Sequence, residues 1–401
     1  MNARAAAAPE AITFVNAHRV GGRGGPRIAG GLRVAGGRIV ALGENPQPGD
    51  RIVDLEGDRI IPGLINAHDH LQLNSLAPMA AKPYRHVTEW IADINHRRRS
   101  DDAFEAQVRV ARDARLMVGG IKNLLSGVTT VAHHDPLYAS LNRDFPIRVV
   151  DAYGWSHSLY LDGEQAVRSS YRRTPIEWPW IIHAAEGVDL DASAEFERLD
   201  ALKCIGPNTL LVHGVALDSG QRTRLLWRGA GLVWCPSSNL RLFGRTADVA
   251  DLIERRRIAL GTDSRLSGAR DLLEELRVAA ELSGLDERVL EPLVTSGAAR
   301  LLRLSDRGIL RAGALADLVV LPALARLGSA IRTDVRLVLV GGVACYGDGD
   351  MARAAAPSAD WAEVRVDGRS KALRAGSAAS QRELGAVEQG LEFTDATSRA
   401  A

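Results

Sequence analysis

The chain has 401 residues, with 50 Lys+Arg against 49 Asp+Glu, 46% hydrophobic residues and 25% charged residues. This balance suits a globular protein with a sizeable core and offers no global field for nucleic acid or an anionic membrane surface. Three well-separated cysteines (Cys204, Cys235 and Cys345) argue against a disulfide framework, exclude a thiolate zinc cage, and make a reducing cytoplasm the expected location.

Taken in chain order, "MNARAAAAPEAITF" lacks the long apolar core of a secretory signal. Residues 11–60 alternate apolar residues with glycine-rich turns, a pattern of short hairpin strands. The glycine-rich stretch 21–31 leads into another strand and lacks a Lys-Ser/Thr ending, so it reads as a turn and not a phosphate loop. From about residue 60, short apolar strands alternate with amphipathic helices, the pattern of βα units around a parallel sheet. Strands are expected near 59–66, 128–133, 146–154, 179–184, 208–214, 231–235 and 257–262, and helices over 267–284 and 290–304. That makes seven strands, with "SLYLDG" (158–163) a weak candidate for an eighth. Strand texture returns after 305, and the Ala-, Ser-, Arg- and Glu-rich end suggests a short helix or disorder. No run approaches 18 apolar residues, so no membrane span is expected.

The chemistry gathers at the carboxyl ends of the predicted strands, where a barrel builds its active site. In "PGLINAHDHLQLN" (62–74), His68 and His70 are two residues apart, so on a strand they share one face and can approach one ion. His183, His213 and Asp263 close three later strands. Neutral imidazoles bind Zn²⁺ or Fe²⁺, a carboxylate offsets the ion's charge, and three His plus one Asp leave a position for water. Glu186, in "HAAEG" three residues past His183, is placed to exchange a proton with that water and with a leaving nitrogen. Standing alone, the same carboxylate reads as a favourable charge near a helix start. His213 is a candidate to polarise the substrate or orient the water. Asp69 should point away from the ion. Gln72, Asn74, Trp155 and Arg241 are candidate substrate contacts, each with packing or surface exposure as its competing reading.

The ordered set "PGLINAHDH", "GVTTV", "HAAEG", "LVHGV", "CPSSNLRL", "LGTDS" and "AGALADLVVL" resembles the metal-dependent amidohydrolase superfamily. The nearest branch holds cytosine and guanine deaminases, adenosylhomocysteine deaminases and triazine hydrolases. The resemblance spans roughly residues 10–350 and implies an α/β fold, a distorted (β/α)8 TIM barrel over 61–304. It implies a composite β-sandwich from 1–60 and 305–365, leaving 366–401 as a tail, partly disordered. It further implies one Zn²⁺ per chain, with Fe²⁺ as the alternative, on His68, His70, His183 and Asp263, with Glu186, His213 and Asp263 as catalytic groups. No lysine lies between Lys122 and Lys203, so the carbamylated lysine of two-metal relatives has no counterpart, and a single ion is expected. The implied activity is deamination of an amino-substituted heterocycle or nucleoside-like small molecule: metal-bound hydroxide attacks and ammonia leaves. Cleavage of another C–N bond and a non-catalytic binding barrel are the alternatives. The expected partner is a small-molecule substrate, not nucleic acid or membrane, with homo-oligomerisation left open by analogy.

Overall fold

In the computed structural model, the described residues are 11–394 apart from 21–27, 44, 81, 143 and 384. Most of the glycine-rich stretch 21–31 therefore lies outside the described residues, as do the last seven residues. Five strands come first: Ile12–Val20 (β1), Ile28–Ala35 (β2), Arg38–Leu42 (β3), Arg51–Asp54 (β4) and Arg59–Pro62 (β5). Eight parallel-pairing strands follow: Leu64–Asp69 (β6), Val128–His133 (β7), Arg148–Val149 (β8), Gly154–Trp155 (β9), Trp180–Ala184 (β10), Thr209–His213 (β11), Gly231–Trp234 (β12) and Ile258–Leu260 (β13). Six more close the chain: Leu318–Leu321 (β14), Leu337–Val340 (β15), Val343–Gly347 (β16), Trp361–Val366 (β17), Arg369–Arg374 (β18) and Leu391–Phe393 (β19).

Strands from both ends of the chain join in one 11-stranded sheet, ordered β19-β17-β18-β16-β15-β14-β5-β1-β2-β3 with β4 against β1. The parallel strands form two sheets, β6-β7-β8 and β13-β12-β11-β10-β9. The stretch expected as one strand over 59–66 is thus two strands in different sheets, divided at Gly63. A Cβ there would lie 2.2 Å from the Thr129 hydroxyl, so the close crossing of the two layers requires glycine. The expected strand over 146–154 also divides: β8 pairs with β7 and β9 with β10, and residues 150–153 carry the chain between the sheets. Among the described residues, one parallel bridge, Asp69 to Asp263, connects them on the other side.

"SLYLDG" is not a strand. Ser158 caps a short helix, Leu159–Asp162, by accepting from the Leu161 N–H. The helix expected over 267–284 runs Leu272–Ser283, because Asp271 caps it and the preceding residues wrap around the candidate site. It stops at Gly284, at φ 62. The helix expected over 290–304 is two, Glu287–Leu293 and Ser296–Leu301, with Pro292 near the break. Residues 366–394, read above as a tail, carry β18, the helix Ala375–Glu383 and β19, so the large sheet continues through them.

Strands β10 to β13 are buried along their whole length, as parallel strands covered on both faces must be. Their alternate residues divide between two apolar clusters, Ile181, Leu210, Val233 and Ala259 in one, Ile182, Leu211, Leu232 and Leu260 in the other. This packing fixes the strand ends that carry the histidines. No helix among the described residues is long and apolar enough to cross a membrane.

Candidate active site

His68 lies near the end of β6, with His70 just beyond it; His183 lies in β10 and Asp263 follows β13. All four are buried, and one ligand atom from each lies within 4.8 Å of the others. His183 Nε2 is 3.2 Å from His68 Nε2 and 3.3 Å from His70 Nε2. Asp263 Oδ1 is 3.5 Å from His68 Nε2 and 3.7 Å from His70 Nε2. Bonds of about 2.0–2.1 Å to a tetrahedral ion place its donors about 3.3–3.4 Å apart. The residues therefore fit a single ion of zinc-like size.

Hydrogen bonds at the far ring nitrogens assign the tautomers. His183 Nδ1 donates to the His157 carbonyl at 2.8 Å, and His70 Nδ1 donates to the Asp135 carboxylate at 2.8 Å. His134 Nε2 donates to the Ser156 carbonyl at 2.9 Å, which leaves its Nδ1 to accept from His68 Nδ1 at 3.2 Å. All three candidate ligands thus turn Nε2 toward the common point. Burial pushes the His68 imidazole down to about 4, and it holds those of His183 and His134 well below their usual range. Burial acts on His70 in the same direction, but the Asp135 carboxylate outweighs it and lifts His70 to about 9.

Burial alone would raise the Asp263 carboxyl. The imidazoles packed around it, His68 first and then His213 and His70, hold it well below the ordinary range. Ser238 Oγ and Ser267 Oγ donate to its Oδ2 at 2.7 and 2.5 Å, so Oδ1 is the oxygen turned to the imidazoles. Glu186 behaves oppositely: burial, then the charges of Asp263 and Glu195, push its carboxyl well above the usual value. Its Oε1 is 3.4 Å from His213 Nε2. His213 Nδ1 donates to Asn239 Oδ1 at 2.8 Å, and burial lowers its pKa. Three backbones here adopt the left-handed region, Ala185 at φ 54, His213 at φ 73 and Asp263 at φ 58. Non-glycine residues hold such conformations at a cost of about 1–3 kcal/mol each, commonly at functional sites. The Ala185 turn is secured by its N–H donating to the buried Glu195 at 2.7 Å.

Asp69 turns away from this cluster. Its Oδ2 accepts from Lys122 Nζ at 3.1 Å, Asn66 at 3.1 Å and Asn123 at 2.8 Å, and its Oδ1 accepts from Asn74 at 2.7 Å. Lys122, in the helix Arg112–Leu125, also donates to Asn74 Oδ1 at 2.7 Å and Thr262 Oγ1 at 3.0 Å. Asn74, a candidate substrate contact from the sequence, is fully buried; its Oδ1 also accepts the Arg265 N–H at 2.9 Å, and its amide is engaged as well. No donor or acceptor of that side chain is left for a substrate. Gln72 donates to Asp135 at 2.6 Å, Trp155 meets His134 edge-on at 5.4 Å, and Arg241 is exposed. Asp135, Ser238, Asn239, Glu195 and Ser267 were not singled out from the sequence. The only signal for Ser238 and Asn239 was their place in "CPSSNLRL".

Residues 178–345 match the amidohydrolase family. The chain is 28% identical over 338 residues to the 5-methylthioadenosine/S-adenosylhomocysteine deaminase of Halobacterium salinarum, covering 70% of this chain and 77% of that protein. Over 133 residues it is 36% identical to the 8-oxoguanine deaminase of Pseudomonas aeruginosa, covering 31% of this chain and 30% of that protein. Its fold is similar to that of a zinc-bound adenosine deaminase from Xanthomonas campestris, with a TM-score of 0.67, 20% identity, and coverage of 83% of this chain and 92% of that one. The chain is thus similar to the amidohydrolase family over residues 178–345, and to deaminase-named relatives along about 70% of its length.

Proposed function

We propose that the chain is a hydrolytic deaminase of an amino-substituted heterocycle or nucleoside-like small molecule. In this reading His68, His70, His183 and Asp263 hold one zinc or ferrous ion, and Glu186 and His213 handle protons. The observation that carries it is the convergence of three Nε2 atoms and one carboxylate oxygen, with no ligand distance above 4.8 Å, beside the buried Glu186 carboxyl, whose pKa burial raises. The same reading takes the two parallel sheets as one distorted barrel of the (β/α)8 type, and the strands from both chain ends as a composite β-sandwich.

An ion bound there would lower the pKa of a coordinated water toward neutrality. Asp263, held ionised with its Oδ2 tied to two serines, is the base that takes a proton from the attacking water. Glu186 supplies a proton to the nitrogen that leaves, so that water's hydroxyl replaces the amino group and ammonia departs. His213, fixed by Asn239, lies with its Nε2 3.4 Å from Glu186 Oε1 and packs beside the acid in the site.

Metal analysis tests the foundation: a folded preparation that never holds stoichiometric zinc or iron refutes the reading. Ammonia release from purines, pterins, triazines and adenosine-type nucleosides tests the reaction. Turnover of amides or lactams without ammonia would make the chain a hydrolase of another C–N bond. Glu186→Gln should keep the ion while turnover falls about 10²- to 10⁴-fold, and an active variant would remove Glu186 from the chemistry.

A further inference from the structure

Three arginines converge on the chain's C-terminal segment. Glu388 Oε1 accepts from Arg265 Nη2 at 2.5 Å and from Arg332 Nη1 at 2.8 Å, and all three residues are buried. Asp367 pairs with both Arg270 and Arg332. The Gln389 carbonyl accepts from Arg270 Nη2 at 3.1 Å and Arg332 Nη2 at 2.8 Å. Gly390, at φ 78, makes room for this: a Cβ there would lie 2.5 Å from Arg270 Nη2.

Arg265 and Arg270 belong to the loop that carries Asp263, Ser264 and Ser267. The Arg265 N–H donates to Asn74 Oδ1 at 2.9 Å, and its Nη1 donates to the Asn74 carbonyl at 3.0 Å. Asn74 in turn donates to Asp69 Oδ1 at 2.7 Å and to the His70 carbonyl at 3.3 Å. An unbroken path therefore runs from Glu388 through Arg265 and Asn74 to the backbone of one candidate ligand, and it holds the loop of another.

We propose that Glu388 is a positioning residue for the metal centre: residues 366–394 are a clamp that holds the Asp263 loop against the turn after His70. The proposal rests on the metal reading above. Arg265 is the side chain that joins the C-terminal segment to the turn after His70. Its guanidinium is fixed by the Glu388 carboxylate on one side and the Asn74 carbonyl on the other. Without the carboxylate, two buried guanidinium ions face each other, and the Asp263 loop is the part free to move.

The test uses the full chain with Glu388→Gln, which keeps the shape and removes the charge. Zn²⁺ affinity is read by chelator competition, and ligand geometry by the visible spectrum of the Co²⁺-substituted protein. Asp58→Asn, which breaks the Arg336 ion pair in the large sheet, is the control for general destabilisation. The expected result is a roughly 10- to 100-fold weaker Zn²⁺ affinity and an altered Co²⁺ spectrum in Glu388→Gln alone. A folded Glu388→Gln protein with wild-type affinity and spectrum overturns the proposal, even if it melts earlier. If Glu388→Gln does not fold, Glu388→Asp, too short to reach both arginines, carries the same expectation and the same refutation. A wild-type chain that binds no Zn²⁺ overturns the metal reading itself, and the clamp with it.

Discussion

Replacing Lys122 with methionine gives the sharpest test of how the site is supported. Lys122 and Asp69 are both fully buried, their charges 3.1 Å apart, in a space that also holds Asn66, Asn74, Asn123 and Thr262. Methionine keeps most of the volume but strands the carboxylate. Removing one partner of a buried pair costs about 3–5 kcal/mol, because the remaining charge has lost both water and counter-charge. Three amide donors still reach Asp69, and Asn74 Oδ1 and Thr262 Oγ1 keep donors from Arg265 and Asn66. These remaining contacts place the expected loss near the lower end, about 3 kcal/mol. Urea titration of the metal-free protein measures it. Asp69→Asn should cost a similar amount, and the double variant much less than the sum. A loss below about 1 kcal/mol, or strict additivity of the two changes, would refute the account of Lys122 as the counter-charge beneath the site.

Asp135→Asn removes the carboxylate that orients His70, and zinc affinity should fall about 10- to 100-fold by competition titration. Zinc must displace the proton that Asp135 helps His70 hold up to about 9, so affinity for the metal-free protein should rise with pH and level off above about 9. A flat profile between pH 7 and 9 would contradict that proton count. Burial raises Glu195 from 4.5 to about 7, so its neutral form favours folding below about 4.5 and that contribution is lost as pH rises through 7. Glu195→Gln should flatten the stability profile across that window, by about 3 kcal/mol at most, in denaturation series at fixed pH.

How far the sequence reached depends on the range of the interactions involved. The pairing of His68 with His70 follows from strand geometry alone, and His183, His213 and Asp263 stood out because each closes an apolar run. The expected β texture at both ends of the chain also corresponds to strands of one sheet. What stayed hidden depends on partners far apart in the chain. Asn74 looked free to meet a substrate because its bond to the Arg265 N–H spans 191 residues. Strand β18 has too few apolar residues to announce itself and β19 is only three residues long, and their pairing is with β16 and β17. The division between β8 and β9 falls in a short, mostly apolar stretch where Asp151 is the one charged residue between the two strands.

The three candidate ligand imidazoles lean on three unlike supports: a carboxylate for His70, a backbone carbonyl for His183, and a second imidazole for His68. The tripod therefore has unequal legs. The carboxylate-backed leg donates most strongly and is the one acid reaches first. The carbonyl that backs His183 does not itself titrate, and the imidazole-backed leg is rigid only while His134 stays neutral. Mild acidification should loosen the ion through His70 and leave the other two legs standing. An emptied site would then keep its shape and refill when the pH returns.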